Sequence, residues 1–158
     1  MSPSSRRMPV CAALMLAGVC TMPGLVGSAE GPLPPPGECP QPRFTQKAPA
    51  EFLALANPVA DAPGTPAAGQ RLYNGTSNSA PCTFCHGARG DGKGALARDH
   101  DPRPRNFQCK DTVNGIPDGQ LFWIIRNGSP GTGMPASKDL SDQQIWQVVA
   151  YLRQLAKR

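Results

Sequence analysis

The stretch Cys82-Thr83-Phe84-Cys85-His86 decides how this chain is read. It has the form C-x-x-C-H, the attachment signature of a c-type haem. Two thiols one helical turn apart can add to the two vinyl groups on one edge of a haem. The histidine that follows directs its imidazole at the iron from one face. Two rival readings are weaker. A thioredoxin-like redox pair follows a strand in a βαβ unit, and no such pattern precedes Cys82. A zinc site wants a second Cys/His pair at close spacing, whereas Cys39 and Cys109 stand isolated from each other.

Haem attachment of this kind requires export, and the N-terminus supplies an address. Residues 1–29 read as a secretory signal peptide: Arg6 and Arg7, an apolar run from Val10 to Val26, then the small-residue site Gly27-Ser28-Ala29. Pro23 and Gly24 break the run, which is short for a membrane span, so an uncleaved anchor is the lesser reading. The expected location is the periplasm. Removal of the signal leaves residues 30–158, with 14 basic against 11 acidic side chains and one methionine, Met134.

Composition bounds the rest. A chain of 158 residues is one domain with a tail. Nineteen prolines, 17 glycines and 6% aromatics predict a small core with much loop, and argue against a β-sandwich or a doubly wound α/β domain. The net charge of +5 is scattered, whereas nucleic-acid binding needs a clustered basic stripe. Residues 30–64 hold nine prolines and read as an extended arm that Phe52, Leu53 and Leu55 pin to the body. Residues 65–158 read as the haem domain. Thr65 with Pro66 starts a first helix through Ala68, Leu72 and Tyr73. Asp118 caps a second over 119–127. Ser141 and Gln144 form a capping box for a third, in which Ile145, Val148, Val149, Leu152 and Leu155 recur at helical spacing. The class is all-α, three or more helices with long Gly/Pro-rich loops. So small a body calls for a staple or a cofactor.

Met134 lies in Pro130-Gly131-Thr132-Gly133-Met134-Pro135, a loop whose glycines let backbone approach a ligand closely. It is the candidate for the iron's other face. The rival ligand, His100, lies in the charged segment Asp99-His100-Asp101-Pro102, which reads as solvated. Phe84, Leu96, Phe107, Leu121, Phe122, Trp123 and Ile125 are candidates for the haem wall. In an oxidising compartment the leftover Cys39 and Cys109 favour a disulfide, with free reactive or metal-binding thiols as the alternative.

These motifs, in this order, resemble the class I, mitochondrial-like cytochromes c, in particular bacterial periplasmic monohaem members. The resemblance covers roughly residues 65–156. It rests on Cys82-x-x-Cys85-His86-Gly87, Gly90-Asp91-Gly92-x-Gly94, Pro104-Arg105-Asn106-Phe107, Gly131-x-Gly133-Met134-Pro135 and Tyr151-Leu152. It implies a helical fold wrapped around one covalent haem c. The first and last helices would cross at Gly69 with Tyr151 packed over it. Arg105, Asn106 and Trp123 occupy positions that contact propionates in the family, and the arm is an addition to the minimal domain.

His86 and Met134 together would leave no open position on iron. The expectation is therefore a carrier of single electrons between periplasmic or membrane redox proteins, not an enzyme, with no small-molecule substrate at iron. It would be monomeric or docked to a partner complex. Two alternatives stand beside it: a subunit that feeds electrons into a larger oxidoreductase, docked through residues 30–64, and a haem enzyme or gas sensor with an open sixth site. The disulfide reading is checked by thiol titration of the exported, oxidised protein under denaturing conditions. No titratable thiol is expected, and two would exclude the bridge.

Overall fold

The computed structural model describes residues 35–41, 45–77 and 79–157. The signal-peptide reading of 1–29 and the start of the arm at 30–34 lie outside the described residues. Among those described there are six α-helices and no strand: α1 (Ala50–Leu53), α2 (Thr65–Tyr73), α3 (Thr83–His86), α4 (Lys110–Asn114), α5 (Asp118–Asn127) and α6 (Asp142–Leu155), with a 3₁₀ turn at Ala97–Asp99. The expected all-α class is what the chain adopts.

The expected capping box of α6 is present. Ser141 Oγ accepts from the Gln144 N–H at 3.3 Å, and Gln144 Oε1 accepts from the Ser141 N–H at 2.8 Å. The apolar stripe then buries Ile145, Val148, Val149, Leu152 and Leu155. The start of α2 departs from expectation. Gly64, at φ +78°, turns the chain one residue earlier, so Thr65 is the first helical residue and its hydroxyl makes no cap. The start of α5 departs likewise: Pro117 is the N-cap. Asp118 instead accepts from Arg153 Nε of α6 at 2.7 Å, and the same guanidinium donates to the carbonyls of Val113 and Ile116. One buried-stem arginine thus ties α6 to the ends of α4 and α5.

The core forms where α2 crosses α6 and α5 packs beside them. A Cβ at Gly69 would overlap the carbonyl oxygen of Gln147 on α6, so only glycine permits this approach. Tyr73 and Tyr151 then meet edge to face, with centroids 5.3 Å apart. Phe122 of α5 is sandwiched between Trp146 (4.3 Å) and Phe52 (6.2 Å).

The N-terminal segment is less free than an extended arm. Cys39 and Cys109 form a disulfide across a separation of 70 residues. Loop-closure entropy makes such a bridge worth about 4 kcal/mol. Buried Gln120 donates to the Gln46 carbonyl (3.0 Å) and accepts from the Ala48 N–H (2.8 Å). Asn57 Nδ2 donates to the Trp146 carbonyl at 2.9 Å. The carbonyl of Phe52 in α1 lies directly against Gly119 of α5. Phe52 and Leu53 do face the body, but Leu55 is 43% exposed. The polar contacts pin this segment as much as the apolar ones.

The α2–α6 crossing has a direct test. Gly69→Val drives side-chain atoms into a backbone carbonyl that cannot swing aside. It should destabilise the protein by about 3 kcal/mol, the upper part of the usual overpacking range. A denaturant midpoint equal to that of the parent would mean the helices do not touch there.

Candidate functional site

The C-x-x-C-H pentapeptide forms α3 with Cys82 as its N-cap. The Cys82 N–H donates to the Tyr73 carbonyl (3.0 Å) and the His86 N–H to the Cys82 carbonyl (2.9 Å). Tyr73 Oη donates to the Gly87 carbonyl at 2.8 Å. The end of α2 therefore fixes the turn from both sides. Cys82, Cys85 and His86 all line one cavity of about 1140 Å³. That exceeds the 300–1,000 Å³ usual for small-ligand pockets and leaves room for a large planar group.

Burial pushes the Cys82 thiol up to about 11, and burial raises Cys85 as well. Both stay protonated at neutral pH, which weakens the redox-pair rival. No group of three or more His, Cys, Asp or Glu suited to a metal ion occurs among the described residues.

His86 is buried, with Nδ1 2.9 Å from the Arg105 carbonyl oxygen. A carbonyl can only accept, so Nδ1 carries the proton and donates, and Nε2 keeps its lone pair for a metal. The Phe107 ring stacks on the imidazole at 4.7 Å. Met134 lines the same cavity. Its loop is held by its own hydrogen bonds. The Ser129 N–H donates to the Met134 carbonyl (3.1 Å), and the Met134 N–H donates to Thr132 Oγ1 (3.2 Å). The Thr132 hydroxyl in turn donates to the Ser129 carbonyl (2.8 Å).

Arg105 also reaches the cavity, but Asn106 and Trp123 do not. Adjacent residues of an extended segment point to opposite sides. Asn106 accordingly faces the N-terminal segment, where Nδ2 donates to the Gly37 carbonyl (2.8 Å) and to Cys39 Sγ (3.3 Å). On α5 the cavity takes Leu121, Ile124 and Ile125, one helical face, and Trp123 falls off it. Phe122 is also not in the wall, being committed to Trp146 and Phe52. Phe84, Leu96, Phe107, Leu121 and Ile125 do line it. His100 is half-buried instead of standing out in solvent: it lines the cavity, Nε2 lies 3.4 Å from Cys85 Sγ, and its ring abuts Gly133. The acidic neighbours Asp99 and Asp101 hid this in the sequence.

Two polar groups of the cavity await partners. Arg105 is 7% exposed and makes no ion pair among the described residues, and burial lowers its pKa. Ser129 Oγ is buried without a hydrogen-bond partner. A buried cation that lacks an anion is costly, so this site is built for acidic groups. A large apolar wall, paired thiols, an oriented imidazole, a thioether and an anion-seeking arginine together fit haem with its propionates. Ser129 was missed in the sequence because a lone serine carries no signal until burial strips it of water.

Covalent attachment has a simple check. Acid–acetone extraction should leave haem on the parent chain and remove it from the Cys82→Ser/Cys85→Ser variant. Complete extraction from the parent would refute thioether links.

Among known proteins, the cytochrome c family matches residues 66–156. No curated protein matches the chain. Among solved structures, it is similar to a chain of the Kuenenia stuttgartiensis reducing HAO-like protein complex Kustc0457/Kustc0458, with 27% identity and a TM-score of 0.53. The likeness covers 65% of this chain and 48% of that one, so this chain spans about half the length of its counterpart. The family match takes in more than half of the sequence and contains every cavity residue singled out above: the chain belongs to the cytochrome c family, whose domain carries covalent haem and serves electron transfer.

Proposed function

We propose that this chain is an exported monohaem electron carrier of the class I, periplasmic type, with His86 and Met134 as axial ligands. The observation that carries the reading is that His86, with Nδ1 committed to a carbonyl, and Met134 line one cavity with the two cysteines. When bound, the haem supplies a one-electron ferric/ferrous couple. Cys82 and Cys85 would anchor it through thioethers. His86 Nε2 and the Met134 thioether would hold the iron, which would leave no position for a substrate. Thioether sulfur favours the reduced iron and raises the potential relative to two nitrogen ligands. Arg105 and Ser129 receive the propionates, while Phe107, Leu121 and Ile125 keep water out. Residues 1–29 act as the export signal, residues 30–64 as an added segment, and residues 65–158 as the haem domain. The partners are periplasmic or membrane redox proteins.

A second reading, a subunit that feeds electrons into a larger oxidoreductase, draws on the likeness to a chain that itself belongs to a complex. Size-exclusion of the native exported protein separates the two, a free monomer favouring the carrier. The open-site alternative draws on His100, the only other imidazole in the cavity.

The deciding experiment is the optical spectrum. The ferric protein should show the weak far-red sulfur-to-iron band, and Met134→Ala should abolish it and let carbon monoxide bind the ferrous form. A parent protein without the band that binds carbon monoxide readily would transfer the role to an enzyme or sensor.

A further inference from the structure

Outside the haem-binding motifs, one side chain of the N-terminal segment is wired to the proximal histidine. Gln41 lines the cavity two residues after Cys39, whose disulfide to Cys109 anchors it. Its carboxamide brackets Arg105. Nε2 donates to the Pro104 carbonyl at 3.2 Å, and Oε1 accepts from the Asn106 N–H at 2.7 Å. The Asn106 N–H and the Arg105 C=O belong to the same peptide group. That C=O is the acceptor for His86 Nδ1 at 2.9 Å. A continuous chain of hydrogen bonds therefore runs from Gln41 through one amide plane to the imidazole.

The physical consequence follows from polarisation. An amide whose N–H is already donating presents a more negative carbonyl oxygen, and hydrogen bonds in series strengthen one another by about 10–30% each. A stronger acceptor at Nδ1–H increases the basicity of Nε2, the standard way an outer group tunes a histidine ligand. A more basic imidazole favours the oxidised metal. We propose that Gln41 is a positioning residue that sets the reduction potential through the Arg105–Asn106 peptide, holding it lower than His86 and Met134 alone would. The disulfide and the Asn106 side chain, which grips Gly37 and Cys39, keep Gln41 in register. This rests on the reading of His86 as an iron ligand.

The test uses the haem-loaded protein carrying Gln41→Met, which keeps the chain length and loses both hydrogen bonds. The Asn106 amide should exchange with solvent roughly five- to tenfold faster, the loss of about one hydrogen bond. The reduction potential should rise above that of the parent, and the His86 Nδ1 proton should exchange faster in NMR spectra. Gln41→Glu keeps an acceptor on the Asn106 N–H, so slow Asn106 exchange and the low potential should both survive. A merely structural role would speed amide exchange in Gln41→Met and leave the potential and the Nδ1 proton unchanged, and that result overturns the proposal. If Gln41→Met does not accumulate, Cys39→Ser/Cys109→Ser releases the same anchor and should raise the potential, whereas an unchanged potential with Asn106 exposed counts against it. Failure of the haem reading shows earlier and differently: the ferric parent would lack a paramagnetically shifted His86 signal, and the proposal would fall with it.

Discussion

A carbonyl oxygen has no proton to give, and the rest of this structure is arranged around that fact. The 2.9 Å contact between His86 Nδ1 and the Arg105 carbonyl leaves a single tautomer, with the lone pair on Nε2. For the carbonyl to be there, residues 104–107 must lie along the motif turn. The loop after the motif links the two: the Phe107 N–H donates to the Gly90 carbonyl (2.7 Å), and the Gly92 N–H of that same loop donates to the His86 carbonyl (2.8 Å). Phe107 closes the same contact from the apolar side by stacking on the imidazole.

The scaffold behind this contact is small. The buried apolar residues come mainly from α2, α5 and α6, and they leave a cavity of about 1140 Å³ beside them rather than beneath them. Phe107, Leu121 and Ile125 in its wall are already buried, but Phe84 and Leu96 stand 52% and 44% exposed and bury that apolar area only when the space is filled. Ligand binding to the folded state alone then becomes folding stability. The disulfide and the buried amides of Gln120 and Asn57 supply what a thicker core would otherwise give.

The paired thiols and the imidazole were legible because chemistry demands them at fixed short spacing, which a linear string displays. Helix α6 was legible because its stripe and capping box are local. The site's polar shell was not. Arg105 and Asn106 are adjacent and equally polar, yet one enters the cavity and the other grips Gly37 and Cys39. Which of the two turns inward depends on the register of an extended segment against α3. Phe122 looked like a wall residue and instead fills the gap between Trp146 and Phe52, because it projects about 100° around the helix from the cavity face. His100 sat among acids in the sequence and lies against Cys85 and Gly133 in space.

By itself, the sequence determined the class and the haem-attachment chemistry and favoured a pairing of the leftover thiols, because each depends on residue identity at short range or on counting. Four cysteines remain after the expected export, two of them within the attachment motif, and the other two had one another. Tertiary structure alone decided which carbonyl orients His86, which cation faces the cavity, and that Gln41 touches the peptide bearing that carbonyl. Those are contacts across 19 to 65 residues of chain, set by how segments cross and not by any pattern along them.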